Sequence, residues 1–132
     1  MKIISVLLLG ILLFSSCDEH FEENKLYGYY VPIGYKNTFD TIELKSRGIY
    51  HRKVYDKDNK LVLKMDGKWK FENNHNIIFN TFYLNLDDNL IKFPHLVRDT
   101  SMEMNTYFET HKGKVQFCVG DQQRENCYQK IK

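Results

Sequence analysis

The chain has 132 residues, with 19 lysines and arginines against 17 aspartates and glutamates and a formal net charge of +2. That length suits one domain built around one core. The near balance of charge leaves no electrostatic footprint for nucleic acid or another polyanion as partner. Nine tyrosines, nine phenylalanines and one tryptophan fit a pleated, half-buried surface, so the composition favours strands.

Residues 1–16 carry a single charge, Lys2, followed by the apolar run IISVLLLGILLF and the small residues Ser15 and Ser16 ahead of Cys17. A basic start, a short apolar segment and a small-residue exit make a secretory signal. As a helix the run spans roughly 18 Å, well short of the ~30 Å of hydrocarbon that a permanent span must cross, so removal is expected. The sequence DEHFEENK after Cys17 is acidic and has little to bury, and residues 17–25 read as a solvated tether. Residues 26–132 form the body of the chain.

Leu13, Phe14, Ser15 and Ser16 directly before Cys17 resemble the lipobox of bacterial lipoproteins, and the serines resemble the Bacteroidetes type in particular. The resemblance implies that the Cys17 thiol receives a diacylglycerol, that the preceding peptide is cut, and that the cysteine becomes an acylated first residue. One acyl chain binds a bilayer only marginally, so stable anchoring needs the further chains that this modification supplies, palmitate among them. Asp18, Glu19, Glu22 and Glu23 after the cysteine resemble the export signal of surface-exposed lipoproteins in that group. The plain reading, an acidic linker without an address, stands beside it. The implied location is the outer membrane, on its periplasmic or its surface face.

From Leu26 onward the apolar period is two. In LVLKMDGKWKF, Leu61, Leu63, Met65, Trp69 and Phe71 share one parity, and Lys64, Asp66, Lys68 and Lys70 take the other. Gly67 lies on the apolar parity with nothing to pack, which predicts a bulge, a bend or a turn between two short strands. Strands are expected in DTIELKS, with Ile42 and Leu44 inward, and in GIYHRKVY, NIIFNTFYLNL, LIKFPHL, NTYFETH, GKVQFCV and finally YQKI. The segments between them, Arg47-Gly48, DKDNK, ENNHN, LDDN, HKG and GDQQREN, carry turn chemistry about every ten residues. Pro32 and Pro94 mark strand ends or an edge, because proline cannot donate to a ladder. The expected fold is all-β: one antiparallel meander forming a small barrel or half-open barrel, which pairs its own sheet edges.

YGYYV, SRGIYHRKVY and DGKWKFENNHNIIF, a Gly-x-Tyr opening, a second Gly-x-Tyr strand and a Gly-x-Trp strand, resemble small lipocalin-like bacterial lipoproteins. A related group, the copper-stress lipoproteins, carries a C-x-x-C pair that this chain lacks, so copper binding does not carry over. Three cysteines in an exported chain leave one over. With Cys17 bound to lipid, Cys118 and Cys127 remain as a structural disulfide across a hairpin, the alternative being a redox or metal pair.

Little chemistry is visible. His20, His51, His75, His95 and His111 show no metal-ligand spacing, and DKDNK lacks the glycine and the terminal glutamate of a calcium loop. Ser46 and Ser101 sit in no nucleophile elbow, and Asp87-Asp88 reads as a turn. Lys45, Arg47, Arg52, Lys53, Lys64, Lys68 and Lys70 cluster in the first half, several on the outward parity, where they keep a sheet soluble or meet an acidic partner or an anionic surface. The expected function is that of a non-catalytic, lipid-anchored envelope protein without a cofactor that binds a small apolar ligand or a partner protein. The alternative is an immunity or inhibitor lipoprotein that neutralises a toxin or hydrolase in the envelope.

Overall fold

A computed structural model describes residues 19–34, 39–85, 89–93, 95, 102–120 and 126–132. Among them eight strands run in sequence order around a closed barrel. These are β1 (Gly28–Pro32), β2 (Phe39–Lys45), β3 (Ile49–Tyr55), β4 (Leu61–Glu72), β5 (Asn76–Phe82), β6 (Met102–His111), β7 (Lys114–Cys118) and β8 (Cys127–Lys130). Each pairs antiparallel with the next, and the seam is closed by β1 on β8 through Tyr30↔Lys130, Val31↔Gln129 and Pro32↔Tyr128. The all-β barrel expected from the alternation is therefore present, in its closed form. Pro32 is the last residue of β1.

Period-two patterning sets the inside and the outside. In β4, Trp69 is buried and Met65 and Phe71 are partly so, while Lys64, Asp66, Lys68 and Lys70 face outward and are exposed. Gly67 neither bends nor ends the strand, which runs unbroken from Leu61 to Glu72. Its missing side chain makes room for the ring of Tyr50 on the paired position of β3, and any Cβ there would strike that ring. The hydroxyl of Tyr50 in turn donates to the carbonyl of Thr81.

The barrel has two dissimilar ends. At the hairpin end β2–β3, β4–β5 and β6–β7 are joined tightly, and these turns hold the left-handed residues Arg47, Gly48, Asn73, Asn74, Lys112 and Gly113. Asparagine and glycine tolerate that conformation best, which is why ENNHN and HKG turn where they do. Trp69 Nε1 donates to the carbonyls of Lys45 and Ile49, both at 3.1 Å, and pins the first of these turns to the core. At the loop end lie the connections β1–β2, β3–β4, β5–β6 and β7–β8. There the carboxylate of Asp56 accepts from the backbone N–H groups of Asp58 and Lys60, each at 2.9 Å, so DKDNK is a side-chain-braced turn.

Two segments depart from the sequence reading. The acidic stretch is docked from Glu19 onward rather than solvated throughout. Phe21 donates its N–H to Asn74 at 2.8 Å, its ring lies 6.0 Å from that of Phe108, and Thr110 donates its N–H to the Glu19 carboxylate at 2.6 Å. A short helix α1 (Glu23–Leu26) follows; Leu26 is fully buried and its carbonyl accepts from Tyr30 Oη at 2.7 Å. The second departure is in LIKFPHL, where a helical turn α2 (Asn89–Lys92) stands instead of a strand. Buried Leu90 holds it down, and its N–H donates to Oδ1 of Asn85 at 3.1 Å.

Cys118 and Cys127 face each other in the β7–β8 register and are bonded, nine residues apart. In the chain-entropy account a loop of that size stabilises by roughly 2.5 to 3 kcal/mol. Cys118→Ser or Cys127→Ser is expected to lower unfolding free energy by that order in denaturant titrations. Mass spectrometry of the non-reduced protein should find no free thiol at either position.

Candidate functional site

An eight-stranded barrel is just wide enough either to be filled by its own side chains or to hold one small ligand. Here aromatic rings occupy the centre. Phe79 lies 5.0 Å from Tyr50, 4.9 Å from Phe82 and 5.4 Å from Phe117, and Phe117 stacks on Tyr128 at 5.4 Å with 14° between the planes. Tyr30, Phe108 and Trp69 extend the same core toward the hairpin end.

Toward the loop end the core becomes polar. Asp40 on β2 and Arg52 on β3 both point inward, and both side chains are fully buried. Arg52 Nε donates to Asp40 Oδ1 at 3.0 Å and Nη2 to Oδ2 at 2.6 Å, a forked pair. Nη2 also donates to Tyr128 Oη at 3.0 Å, and that hydroxyl donates to Asp40 Oδ2 at 2.7 Å. Nη1 donates to the Tyr83 carbonyl just beyond β5. The guanidinium carbon sits 4.6 Å from the centre of the Phe82 ring. Burial by itself would lower the arginine's pKa, but Asp40, Tyr128 and Tyr50 outweigh it and hold the pKa above its ordinary value.

This network ties β2, β3, β8 and the chain after β5 into one unit. Both carboxylate oxygens are engaged with Arg52 or Tyr128, so the group forms a closed polar plug between these strands. In the sequence Arg52 belongs to a basic cluster, and no local motif singles out Asp40 or Tyr128. The signal was parity: Asp40 shares the inward positions of Ile42 and Leu44, and Arg52 lies between buried Tyr50 and Val54. The rest of that cluster, Lys45, Arg47, Lys53, Lys64, Lys68 and Lys70, is exposed.

Other singled-out residues are scattered over the surface. His51 Nδ1 bonds to Asp66 across β3 and β4, which helps hold the Asp66 carboxyl below its usual range. His75 Nδ1 lies 2.9 Å from the carbonyl oxygen of Asn73, two residues earlier. Cys118 and Cys127 sit where β7 and β8 meet at the loop end. Cys17 lies outside the described residues, as do Pro94, Asp87 and Asp88.

What the loop end does present is apolar surface. Phe39, Tyr55 and Leu61 stand side by side across β2, β3 and β4, with Phe39 62% and Leu61 45% exposed. Met102, 52% exposed at the start of β6, and exposed Ile33 and Phe93 belong to the same end. No protein-family model, curated protein or solved structure matches this chain.

Two outcomes follow from these buried polar groups. Arg52→Met leaves a buried carboxylate without its partner and should cost about 3–5 kcal/mol in denaturant unfolding. Adding Asp40→Leu should recover part of that loss; strictly additive costs would refute the coupling. The second outcome concerns Tyr50, whose hydroxyl burial pushes up from 10.0 to about 12. A folded pKa raised above the unfolded one gives stability that is full below pH 10.0 and lost as the pH rises through about 12. Tyrosinate absorbance and circular dichroism followed together should show ionisation and unfolding in that window, with a smaller loss in Tyr50→Phe.

Proposed function

We propose that this protein is a lipid-anchored, non-catalytic binding module of the outer membrane, facing the periplasm or the surface, and that it meets a partner protein through the loop end of its barrel. The observation that carries the choice of a macromolecular partner over a small apolar ligand is the filled interior. Ligand sites are concave and mostly apolar, and here, among the described residues, the barrel centre is taken by packed aromatic rings and capped by the Asp40–Arg52–Tyr128 plug. Exposed aromatic and aliphatic side chains at the rim supply instead the kind of anchor that protein interfaces use. The anchor itself rests on the order of residues up to Cys17.

Two measurements test the reading. Palmitate fed to a bacterial host should label the wild-type protein and leave Cys17→Ala unlabelled; equal labelling would remove the anchor. Titration of the purified protein with a fluorescent fatty acid should give only weak, non-saturating signal. Stoichiometric, saturable uptake would return the function to a small-ligand carrier.

A further inference from the structure

The path of the chain between Cys17 and the barrel is very short. Glu19 is already held: its carboxylate accepts the Thr110 N–H at 2.6 Å, and two residues on Phe21 is bonded to Asn74 and packed on Phe108. All of these groups belong to the hairpin end. Two residues of fully extended chain reach at most about 7 Å, so a lipid on Cys17 keeps this end against the head-group layer. That reach is within the ~8 Å over which charges act at physiological salt.

The same end is rich in cations. Lys25, Lys45, Arg47, Lys112, Lys114 and Lys132 are all exposed there. Of these, Lys25 pairs with Glu22 at 3.0 Å and Lys45 with Glu43 at 3.8 Å, whereas Arg47, Lys112, Lys114 and Lys132 make no ion pair among the described residues. Among the described residues Glu19, Glu23 and Glu72 are the remaining exposed acids of this end; Glu19 accepts the Thr110 N–H at 2.6 Å and Glu23 accepts from Tyr27 Oη at 3.1 Å. Apolar side chains lie among the cations: Ile131, 53% exposed, stands between Lys130 and Lys132, and Ile49 is the residue after the Arg47-Gly48 turn. Lysine and arginine around a few aliphatic side chains, held within a Debye length of a bilayer, is the composition that binds anionic head groups.

We infer that the hairpin end of the barrel is a second membrane contact, in which Arg47, Lys112, Lys114 and Lys132 bind the head groups of anionic phospholipid. The contact rests on the lipid-anchor reading and extends it. It turns the barrel upright, so that the Phe39–Tyr55–Leu61 rim faces away from the bilayer toward its partner.

Lysine footprinting of the acylated full-length mature protein tests this. The protein is reconstituted into phosphatidylcholine vesicles with and without phosphatidylglycerol and treated with a water-soluble amine-acylating reagent, and modification is read by mass spectrometry. On phosphatidylglycerol vesicles Lys112, Lys114 and Lys132 should react several-fold more slowly than in detergent, while Lys57, Lys60 and Lys64 at the loop end react as before. The triple variant Arg47→Glu, Lys112→Glu, Lys114→Glu, checked for an unchanged strand spectrum, should lose the protection of Lys132. Equal reactivity at both ends, protection at the loop end, or protection that does not depend on phosphatidylglycerol would overturn the inference. Failure of the anchor reading is seen separately, as a wild-type chain that takes up no palmitate.

Discussion

Closure of the sheet on itself is the constraint from which the other features follow. Pairing β1 with β8 gives every described strand a partner on each side, but it also fixes a cylinder whose interior must be filled to the density of a protein core. The chain fills it with large rings, and their bulk dictates the small residues around them. Gly67 is the clearest case. A strand interior is a poor place for glycine on propensity alone, yet here its lack of a side chain lets Tyr50 lie across β4 and reach the carbonyl of Thr81 on the next strand. Tyr50, Phe79 and Gly67 are one packing solution, not three independent choices.

The loop end poses a different problem, because there the aromatic packing gives way to buried polar groups and to the Tyr83 carbonyl. Arg52 answers several demands at once. Its planar fork satisfies both oxygens of Asp40, donates to the Tyr128 hydroxyl and to the Tyr83 carbonyl, and presents its face to Phe82. Lysine could supply the charge but not the fork or the stacked plane. A buried ion pair of this kind is weak evidence for stability, since two charges have been taken out of water. Its geometric effect is more definite: it fixes the relative positions of β2, β3, β8 and the chain leaving β5, and that is the platform on which the exposed rim stands.

The sequence is informative about this molecule where one face is wet and the other dry. The β4 segment alternates Lys64, Asp66, Lys68 and Lys70 with Met65, Trp69 and Phe71, and the barrel keeps that division. The turns were legible for an equally local reason, since Asn73-Asn74 and Gly113 adopt the left-handed backbone that asparagine and glycine favour. Three features were not legible. LIKFPHL is a short apolar run, which periodicity cannot assign between strand and helix, and one buried leucine with an asparagine acceptor decided it. Phe21 lay in an acidic stretch and was outweighed by its neighbours, although a single aromatic was enough to dock the segment. Asp40 and Arg52 had inward parity in plain view, but their partnership spans the diagonal of two strands and recruits Tyr128 from the far end of the chain, a distance that no local pattern encodes.

The difference between the two ends comes from how the chain is laid out. Tight hairpins, the docked residues from Glu19 to Leu26 and the C-terminal residues gather at one end, where Trp69, Phe108 and Tyr30 hold them. Surface there is short-looped and carries exposed lysines and an arginine beside exposed glutamates. The opposite end carries the longer connections, and loops raised on a rigid scaffold are where recognition can vary without disturbing the core. Because the barrel is closed and internally tied from the Trp69 hydrogen bonds at one end to the Arg52 plug at the other, changes in the loop-end surface need not reach the hairpin end.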